Sequence, residues 1–301
     1  SGILLIVFAF AVFAYRSYLQ KQKANSELDK RNSEIGKAYN IIAEKNHEIT
    51  DSINYAQRIQ SAMLPSVASI KKTFPQSFIL FKPKDIVSGD FYFFHKNGDK
   101  VFLAAADCTG HGVPGAFMSM IGSEKLNDAV QQSKDTAEVL EKLNKGIKAS
   151  LHQSSDTDST RDGMDIALIA VSLKPAANSF KVQFSGANRP LWIIRKGANI
   201  MEEVKSTKKA IGGFTEGDVV FEKNETEINK DDTFYLFSDG YADQFGGKEG
   251  KKITKKKFRE LLLSIQHLPI PDQQNKLEEF ISEWQGNREQ LDDILVIGVK
   301  G

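Results

Sequence analysis

The sequence is poor in cysteine, proline and net charge, and each scarcity excludes a class of protein. Its 301 residues include one cysteine, Cys108, which cannot form an intramolecular disulfide and so favours a reducing compartment. The 8 prolines and 22 glycines are too few for a collagen-like or low-complexity chain. Because the net charge is only +1, the basic excess of a nucleic-acid-binding protein is missing, and we expect no nucleic-acid partner. The 41% of hydrophobic residues are enough for a large folded domain with an extension.

We recognise neither a dinucleotide-binding G-x-G-x-x-G motif nor a P-loop G-x-x-x-x-G-K-S/T motif in the sequence. The sequence therefore offers no nucleotide fingerprint in support of a kinase or an NTPase. A histidine kinase would need a phosphoacceptor on a helix, for which His47 is the candidate, and then a nucleotide-binding domain, which we do not recognise.

The long uncharged apolar run lies at residues 2–15. It is shorter than the roughly 20 residues that cross a bilayer. Its basic flank, which includes Arg16, Lys21 and Lys23, follows the run, whereas a signal peptide carries its basic residues in front. We expect residues 1–15 to be the C-terminal part of a transmembrane helix; a core helix and a signal-peptide core are the alternatives. The positive-inside rule then predicts a cytoplasmic (inner) membrane protein whose catalytic domain lies in the cytoplasm.

Residues 16–65 have the pattern of a long helix, with Gly36 as the one glycine before Pro65. Aliphatic residues recur at every seventh position, namely Leu28, Ile35, Ile42, Ile49 and Ala56. This spacing predicts a coiled coil, and asparagines at 25, 32 and 46 on the neighbouring seam position favour a parallel homodimer. The alternative is an ordinary amphipathic helix. A change of phase after Ala56 suggests that this linker transmits a signal to residues 66–301.

Residues 66–301 alternate between strand and helix patterns. The predicted strands are Phe78–Phe81, Phe91–Phe94, Val101–Ala106, Ile166–Val171, Phe180–Phe184, Leu191–Ile194, Thr233–Phe237 and Ile294–Val299. The predicted helices cover 114–132, 136–151, 255–265 and 272–285. Because strands mostly follow one another with helices grouped between them, the fold class is α+β with a largely antiparallel sheet.

Acidic residues recur where predicted strands meet turns: Asp90, Asp107, Asp239, Asp292 and Asp293. Carboxylates beside glycines suit hard divalent cations. Two such cations can activate a water for attack on phosphorus. Each Asp-Gly taken alone is more typical of a turn. Their joint recurrence predicts a divalent-metal hydrolase.

At these positions the chain resembles the PPM-type metal-dependent serine/threonine protein phosphatases, and among them the SpoIIE-like branch of sporulation and sigma-factor regulators. The matching stretches are Val87–Tyr92, Ala106–Ala116, Ser185–Leu191, Leu236–Gly240, Asp292–Ile294 and, at the end of the linker, Ile59–Pro65. The resemblance implies an αββα sandwich of two mainly antiparallel sheets flanked by helices. It also implies two Mn²⁺ or Mg²⁺ ions and phosphoserine or phosphothreonine protein substrates, often anti-sigma-factor antagonists.

Carried over residue by residue, the resemblance implies metal ligation by Asp90, Asp107 and the backbone carbonyl of Cys108. Asp239 and Asp292 would complete the site, with Asp293 as the alternative to Asp292. His111 is either a general acid for the leaving oxygen or a structural histidine of the glycine-rich turn. Lys84 is either a phosphate-binding residue or a solvated lysine.

Three further features have less specific interpretations. Asp165 is either a third-metal ligand or a turn residue before its strand. The stretch Asp156–Thr160 begins like a calcium loop but has Arg161 where glycine is required, so we expect a polar loop. The lysine-rich segment 248–259 is either a solvated face or a surface for anionic lipid or an acidic partner.

Together these patterns predict a membrane-tethered, dimeric, two-metal protein phosphatase that is regulated through its coiled coil. The alternative is a catalytically silent module that only binds a phosphoprotein. Because no metal aspartate is replaced by asparagine or glycine, the sequence favours the enzyme.

Overall fold

The computed structural model describes residues 2–154, 160–172, 179–213 and 219–301. Most of the predicted polar loop Asp156–Thr160 lies outside these ranges. The chain divides into two compact units, Ser1–Asn54 and Tyr55–Gly301.

Helix α1, Gly2–Met63, is continuous over 62 residues. In the first unit its aliphatic heptad residues Leu28, Ile35, Ile42 and Ile49 are all exposed. Its apolar N-terminal part is also exposed, and among the described residues it is the one segment long and apolar enough to cross a membrane. The predicted long helix is thus present, while the predicted coiled coil and membrane span stay predictions.

The second unit contains the rest of the secondary structure. In chain order its elements are α2 (Val67–Thr73), β1 (Ser77–Lys82), β2 (Phe91–Asn97), β3 (Lys100–Cys108), α3 (Gly112–Gln132), α4 (Thr136–Ser150), β4 (Gly163–Ser172), β5 (Ser179–Ala187), β6 (Leu191–Ile194), β7 (Glu202–Val204), β8 (Ile211–Gly212), β9 (Asn224–Asn229), β10 (Thr233–Phe237), α5 (Gly240–Asp243), β11 (Phe245–Gly246), β12 (Lys251–Lys252), α6 (Thr254–Ser264), α7 (Ile270–Gln285) and β13 (Ile294–Lys300). Every strand and helix predicted from the sequence is present.

The elements that the sequence did not predict are short or polar. Strand β9 has the sequence Asn-Glu-Thr-Glu-Ile-Asn and forms one edge of its sheet, where only Ile228 is buried. Strand β7, at an edge of the other sheet, has no fully buried residue. Edge strands need little apolar sequence, so a hydrophobic pattern does not detect them.

Two antiparallel sheets pack face to face. Sheet I has the order β1-β13-β10-β6-β7, and sheet II has the order β2-β3-β4-β5-β9 with β8 paired to β4. One apolar cluster joins the inner faces, for example through Leu103 and Ile169 of sheet II and Leu236 and Ile297 of sheet I. A second cluster packs α3 and α4 on the outside of sheet II, and a third packs α6 and α7 on the outside of sheet I. The result is the αββα layering that the resemblance implied.

Strand register places the predicted acidic residues. Phe91 pairs with Ala106, which sets Asp90 beside Asp107 in sheet II. In sheet I the pairing of Phe237 with Val296 places Asp239 near the residues that precede β13. The loop 188–190 crosses from β5 in sheet II to β6 in sheet I.

Candidate active site

Asp90 is a buried carboxylate in a strongly acidic environment. It is 3% exposed, and its Oδ2 has no hydrogen-bond partner within the described part of the chain. Burial and the neighbouring Asp107 carboxylate raise its pKa well above the ordinary value, against a hydrogen bond with Ser238 that lowers it. An ionised Asp90 is therefore costly unless a cation lies beside it.

Asp107 is the one acidic residue of β3 and pairs with Asp165 of β4. The pKa of Asp107 is raised to about 7 in all: burial raises it most, the guanidinium of Arg189 lowers it, and the charges of Asp239 and Asp292 also raise it. The side chain of the next residue, Cys108, is buried, and burial raises the pKa of its thiol. A Cβ atom on Gly89 would lie 3.4 Å from the Cys108 carbonyl oxygen, so this oxygen faces the segment that bears Asp90.

Asp239 lies where β10 meets the N-terminus of α5. Ser238 fixes this junction on β13, because its backbone N–H donates to Leu295 O and its Oγ accepts from Leu295 N, both at 3.0 Å. Gly240 permits the close approach of the two chain segments, since a Cβ there would lie 2.0 Å from the carbonyl oxygen of Asp293. The junction thereby brings Asp239 to the start of β13.

The adjacent Asp292 and Asp293 have different surroundings. Asp293 is 2% exposed; its Oδ1 accepts the backbone N–H of Lys84 and its Oδ2 accepts that of Gly89, both at 2.7 Å. Asp292 accepts one backbone N–H, from Asp293 at 2.9 Å. Burial raises the pKa of Asp292, and so do the charges of Asp239 and Asp293. Asp293 thus fastens sheet I to the loop before Asp90, while Asp292 keeps an oxygen without such a bond.

The turn after β3 depends on glycine. Gly110 and Gly112 have positive φ angles of 82° and 62°. A Cβ on Gly115 would lie 2.3 Å from Gly110 O, so helix α3 begins in close contact with this turn. Residues 110–115 also spell G-x-G-x-x-G, a match that the sequence-based exclusion of nucleotide fingerprints overlooked. Because β3 pairs antiparallel with both neighbours, the turn is not part of the βαβ unit that such a fingerprint requires.

Arg189 is the site residue that sequence reasoning missed. Its Nη2 donates to Asp107 Oδ2 and to Asp239 Oδ2, both at 2.7 Å, and lies 3.3 Å from Asp165 Oδ2. The side chain is 9% exposed. Burial alone would lower the pKa of Arg189, but the carboxylates of Asp107 and Asp239 outweigh burial and raise it. The sequence did offer one signal for Arg189: it lies between two predicted strands, inside the stretch Ser185–Leu191 that carries part of the family resemblance.

His111 and Lys84 lie together at a half-exposed position. His111 Nδ1 is 2.7 Å from Asp85 Oδ2, and its Nε2 is 2.9 Å from Lys84 Nζ. Because a lysine ammonium has only donors, Nε2 is the acceptor in the contact with Lys84, and Nδ1 is the nitrogen that faces Asp85. Lys84 therefore contacts two parts of the site: its side chain contacts His111, and its backbone N–H donates to Asp293.

The arrangement fits a divalent cation by its chemistry, although its carboxylates are partly engaged. Within the described ranges, no three acidic, histidine or cysteine side chains are grouped around a common point as metal ligands. Two of the acidic residues, Asp107 and Asp239, are instead bridged by Arg189. The unpartnered Oδ2 of Asp90, buried beside further carboxylates, is the oxygen that hard cations such as Mn²⁺ and Mg²⁺ prefer.

Comparisons with known proteins identify the family and the fold. The family model of stage II sporulation protein E (SpoIIE) matches residues 97–300. The structure of the SiaA PP2C domain of Pseudomonas aeruginosa is 30% identical, with a TM-score of 0.74 over 85% of this chain and 98% of that one. The SpoIIE PP2C phosphatase domain of Bacillus subtilis, solved with a fragment of its regulatory domain, shares the fold at 19% identity, with a TM-score of 0.59 over 75% of this chain and 63% of that one. The RsbU and RsbW domains of a Mycobacterium tuberculosis protein share it at 18% identity, with a TM-score of 0.56 over 75% and 60%. A search of curated proteins found no match.

The matched region contains both sheets from β3 onward and the aspartates from Asp107 to Asp293. The family resemblance stated from the sequence is therefore confirmed, and so is the expectation of an enzyme. The chain belongs to the SpoIIE family, within the PP2C-type (PPM) metal-dependent serine/threonine protein phosphatases.

Proposed function

We propose that this chain dephosphorylates phosphoserine or phosphothreonine on a signalling protein, with two divalent ions held by Asp90, Asp107, Asp239, Asp292 and the Cys108 carbonyl. The observation that carries the proposal is the meeting of carboxylates from both sheets at one end of the sandwich, where Arg189 contacts Asp107 and Asp239 together. When bound, Mn²⁺ or Mg²⁺ would lower the pKa of a water and offset charge on the phosphoryl group.

The contacts of Asp293 support Asp292 as the ligand of the pair. Both oxygens of Asp293 accept backbone N–H groups, which commits this side chain to holding the loop before Asp90. Within the described residues, the Asp292 carboxylate accepts a backbone N–H only from the adjacent Asp293, and the charge of Asp239 raises its pKa. Asp293 therefore positions Asp90 by holding Gly89, next to it in sequence.

Lys84 and His111 are the side chains suited to the substrate itself. The Lys84 ammonium offers donors to a phosphate oxygen. A phosphate that binds the Lys84 ammonium would replace His111 Nε2 as its hydrogen-bond partner. Nε2 would then be free to bind a proton, while Nδ1 stays in contact with Asp85. In this arrangement His111 delivers a proton to the leaving serine or threonine oxygen.

Exposed surfaces of α1 support a tethered and regulated enzyme. The heptad residues Leu28, Ile35, Ile42 and Ile49 form an exposed stripe that a second copy would cover as a parallel coiled coil. The apolar N-terminal segment suits a membrane, which would place the phosphatase domain at its cytoplasmic side. The substrate we propose is a signalling protein such as an anti-sigma-factor antagonist, in line with the sigma-factor regulators of this branch.

The C-terminal end of α1 contacts the segment that precedes Asp90, and this contact supports regulation through α1. Gln60 is buried and forms two hydrogen bonds with the backbone of Ser88, donating from Nε2 to the carbonyl at 2.6 Å and accepting from the N–H at 3.1 Å. The same Nε2 donates to Ser119 Oγ of α3 at 2.8 Å. Since Ser88 is two residues before Asp90, a shift of α1 would move the backbone next to this proposed metal ligand.

The test is turnover of p-nitrophenyl phosphate by the full chain in detergent micelles, with Mn²⁺, with Mg²⁺ and with chelator. We expect metal-dependent turnover that Asp107→Asn and Asp239→Asn each reduce at least about a hundredfold. Asp231→Asn is the matched control, because Asp231 is a surface residue paired with Lys196. Metal binding without turnover on this substrate or on a phosphoserine protein would instead favour the silent phosphoprotein-binding module.

A further inference from the structure

Arg189 shares its carboxylate partners with the proposed metal site. One nitrogen, Nη2, donates to both Asp107 Oδ2 and Asp239 Oδ2 at 2.7 Å. A guanidinium Nη carries two hydrogens, so both are committed to carboxylates that the proposed function assigns to metal. The contacts come from different sheets, which makes Arg189 an ionic bridge across the site.

The loop that carries Arg189 is built to hold it in this place. Asn188 has a positive φ of 57°, and its Nδ2 donates to Asp165 Oδ1 at 2.8 Å. The Arg189 N–H donates to Ala187 O at 2.7 Å, and a Cβ on Gly186 would lie 2.4 Å from Arg189 O. The crossing between the sheets therefore admits no larger residue at 186 and directs the side chain at 189 to the acidic end of the sandwich.

The guanidinium is held by charge more than by complete hydrogen bonding. Its Nε is buried without a partner in the described part of the chain, and the side chain is 9% exposed. Its ion pairs are with Asp107, Asp165 and Asp239. A buried cation with an unmet donor is retained only where negative charge is concentrated.

A divalent ion at Asp107 and Asp239 would compete for the same oxygens. Two cations that share carboxylate oxygens repel each other more strongly in a partly buried site than in bulk water. We propose that Arg189 competes with metal for Asp107 and Asp239, so that metal loading displaces its guanidinium from these carboxylates. The inference rests on the proposed function, because it takes these two aspartates as metal ligands.

The opposite role makes the opposite prediction. An arginine that donates to one oxygen of each carboxylate can orient the other oxygen toward a metal, and removal of such a partner typically weakens metal binding about 10–100-fold. Competition predicts that a neutral residue at 189 strengthens metal binding. The sign of the change in affinity therefore decides between the two roles.

The experiment measures the Mn²⁺ dissociation constant of the full chain in detergent micelles by titration calorimetry. Arg189→Gln and Arg189→Met are both neutral, and methionine fills the buried space if glutamine does not fold. We expect each to bind Mn²⁺ about tenfold more tightly than wild type or better. Arg189→Lys keeps the charge and is expected to stay closer to wild type. Arg195→Gln is the control, since Arg195 is paired with Glu202 and Asp232.

Thermal melting provides a readout that does not depend on activity. In chelator, the neutral variants should melt below wild type because the facing carboxylates lose their counter-charge, and saturating Mn²⁺ should narrow this difference. Unchanged or weaker Mn²⁺ binding by the neutral variants overturns competition while the phosphatase proposal stands. Absence of Mn²⁺ binding in wild type and in every variant overturns both. Binding that appears only in the neutral variants supports competition in its strongest form.

Discussion

In residues 1–54, Leu28, Ile35 and Ile42 are more than half exposed, whereas in residues 55–301 Leu236, Ile297 and Val299 are fully buried. The same aliphatic residue types thus serve two purposes. The second unit buries them in its own core between two sheets. The first unit presents them along a helix, where their side chains are exposed. The difference teaches that the second unit has its own apolar core, while the aliphatic stripe of the first unit is exposed and a second copy of the chain is proposed to cover it.

The sharpest test of this contrast is one substitution made in both units. Leu236→Ala, between the sheets, should lower the free energy of unfolding by about 2–5 kcal/mol through lost burial and a cavity. Leu28→Ala, on the exposed stripe, should change it by less than about 0.5 kcal/mol in dilute protein. Urea unfolding followed by tryptophan fluorescence measures both. Equal losses would mean that the exposed stripe is not free in the single chain.

Two glycines offer a second comparison. Gly240→Ala places a Cβ 2.0 Å from Asp293 O and should destabilise the fold by about 1–3 kcal/mol. Gly36→Ala meets nothing within 4 Å inside α1 and should stabilise the helix by about 0.5–1 kcal/mol. Thermal unfolding followed by circular dichroism measures both changes in stability, the expected loss for Gly240→Ala and the expected gain for Gly36→Ala. Tolerance of alanine at position 240 would contradict the close approach of β10 and β13 at the site.

Gln60 tests the point where α1 meets the sandwich. Gln60→Ala removes the bonds to Ser88 and Ser119 and should cost about 1–2 kcal/mol, since it leaves buried polar groups unpaired. Gln57→Ala is the matched control, because Gln57 is an exposed glutamine one turn earlier in the same helix. If α1 regulates the site, turnover should fall more in Gln60→Ala than the loss of folded protein explains. Full turnover with reduced stability would restrict Gln60 to a structural role.

The last prediction concerns self-association of the chain, and we expect the substitution to have almost no effect on folding. Ile42→Lys should weaken self-association of the full chain at least about tenfold by placing a charge in the proposed seam. Ile41→Lys changes an equally exposed neighbour outside the heptad stripe and should leave it intact. Sedimentation velocity in detergent distinguishes the two. If both variants associate like wild type, α1 does not form the seam that its heptads predict.

Sequence patterns captured the regular part of the second unit. The runs Thr233–Phe237 and Ile294–Val299 are confirmed as strands. Their apolar pattern was easy to detect because these strands are buried on both faces. Polar edge strands such as β9 were missed, since pairing to one neighbour stabilises them without an apolar pattern. The acidic residues were found because each lies at the end of a run that the pattern could detect.

What the sequence by itself determined is local: the long helix, the strands of both sheets, the aspartates at their ends and, through its motifs, the family. What the tertiary structure decided depends on residues far apart in the chain. Arg189 reaches Asp107 across 82 positions, and Asp293 reaches Lys84 and Gly89 across 209 and 204. Such contacts carry no periodic signal, because they arise where two sheets meet and charge must be balanced in a buried place. The different hydrogen-bond partners of adjacent Asp292 and Asp293, and the presence of an arginine among the carboxylates, therefore follow from packing.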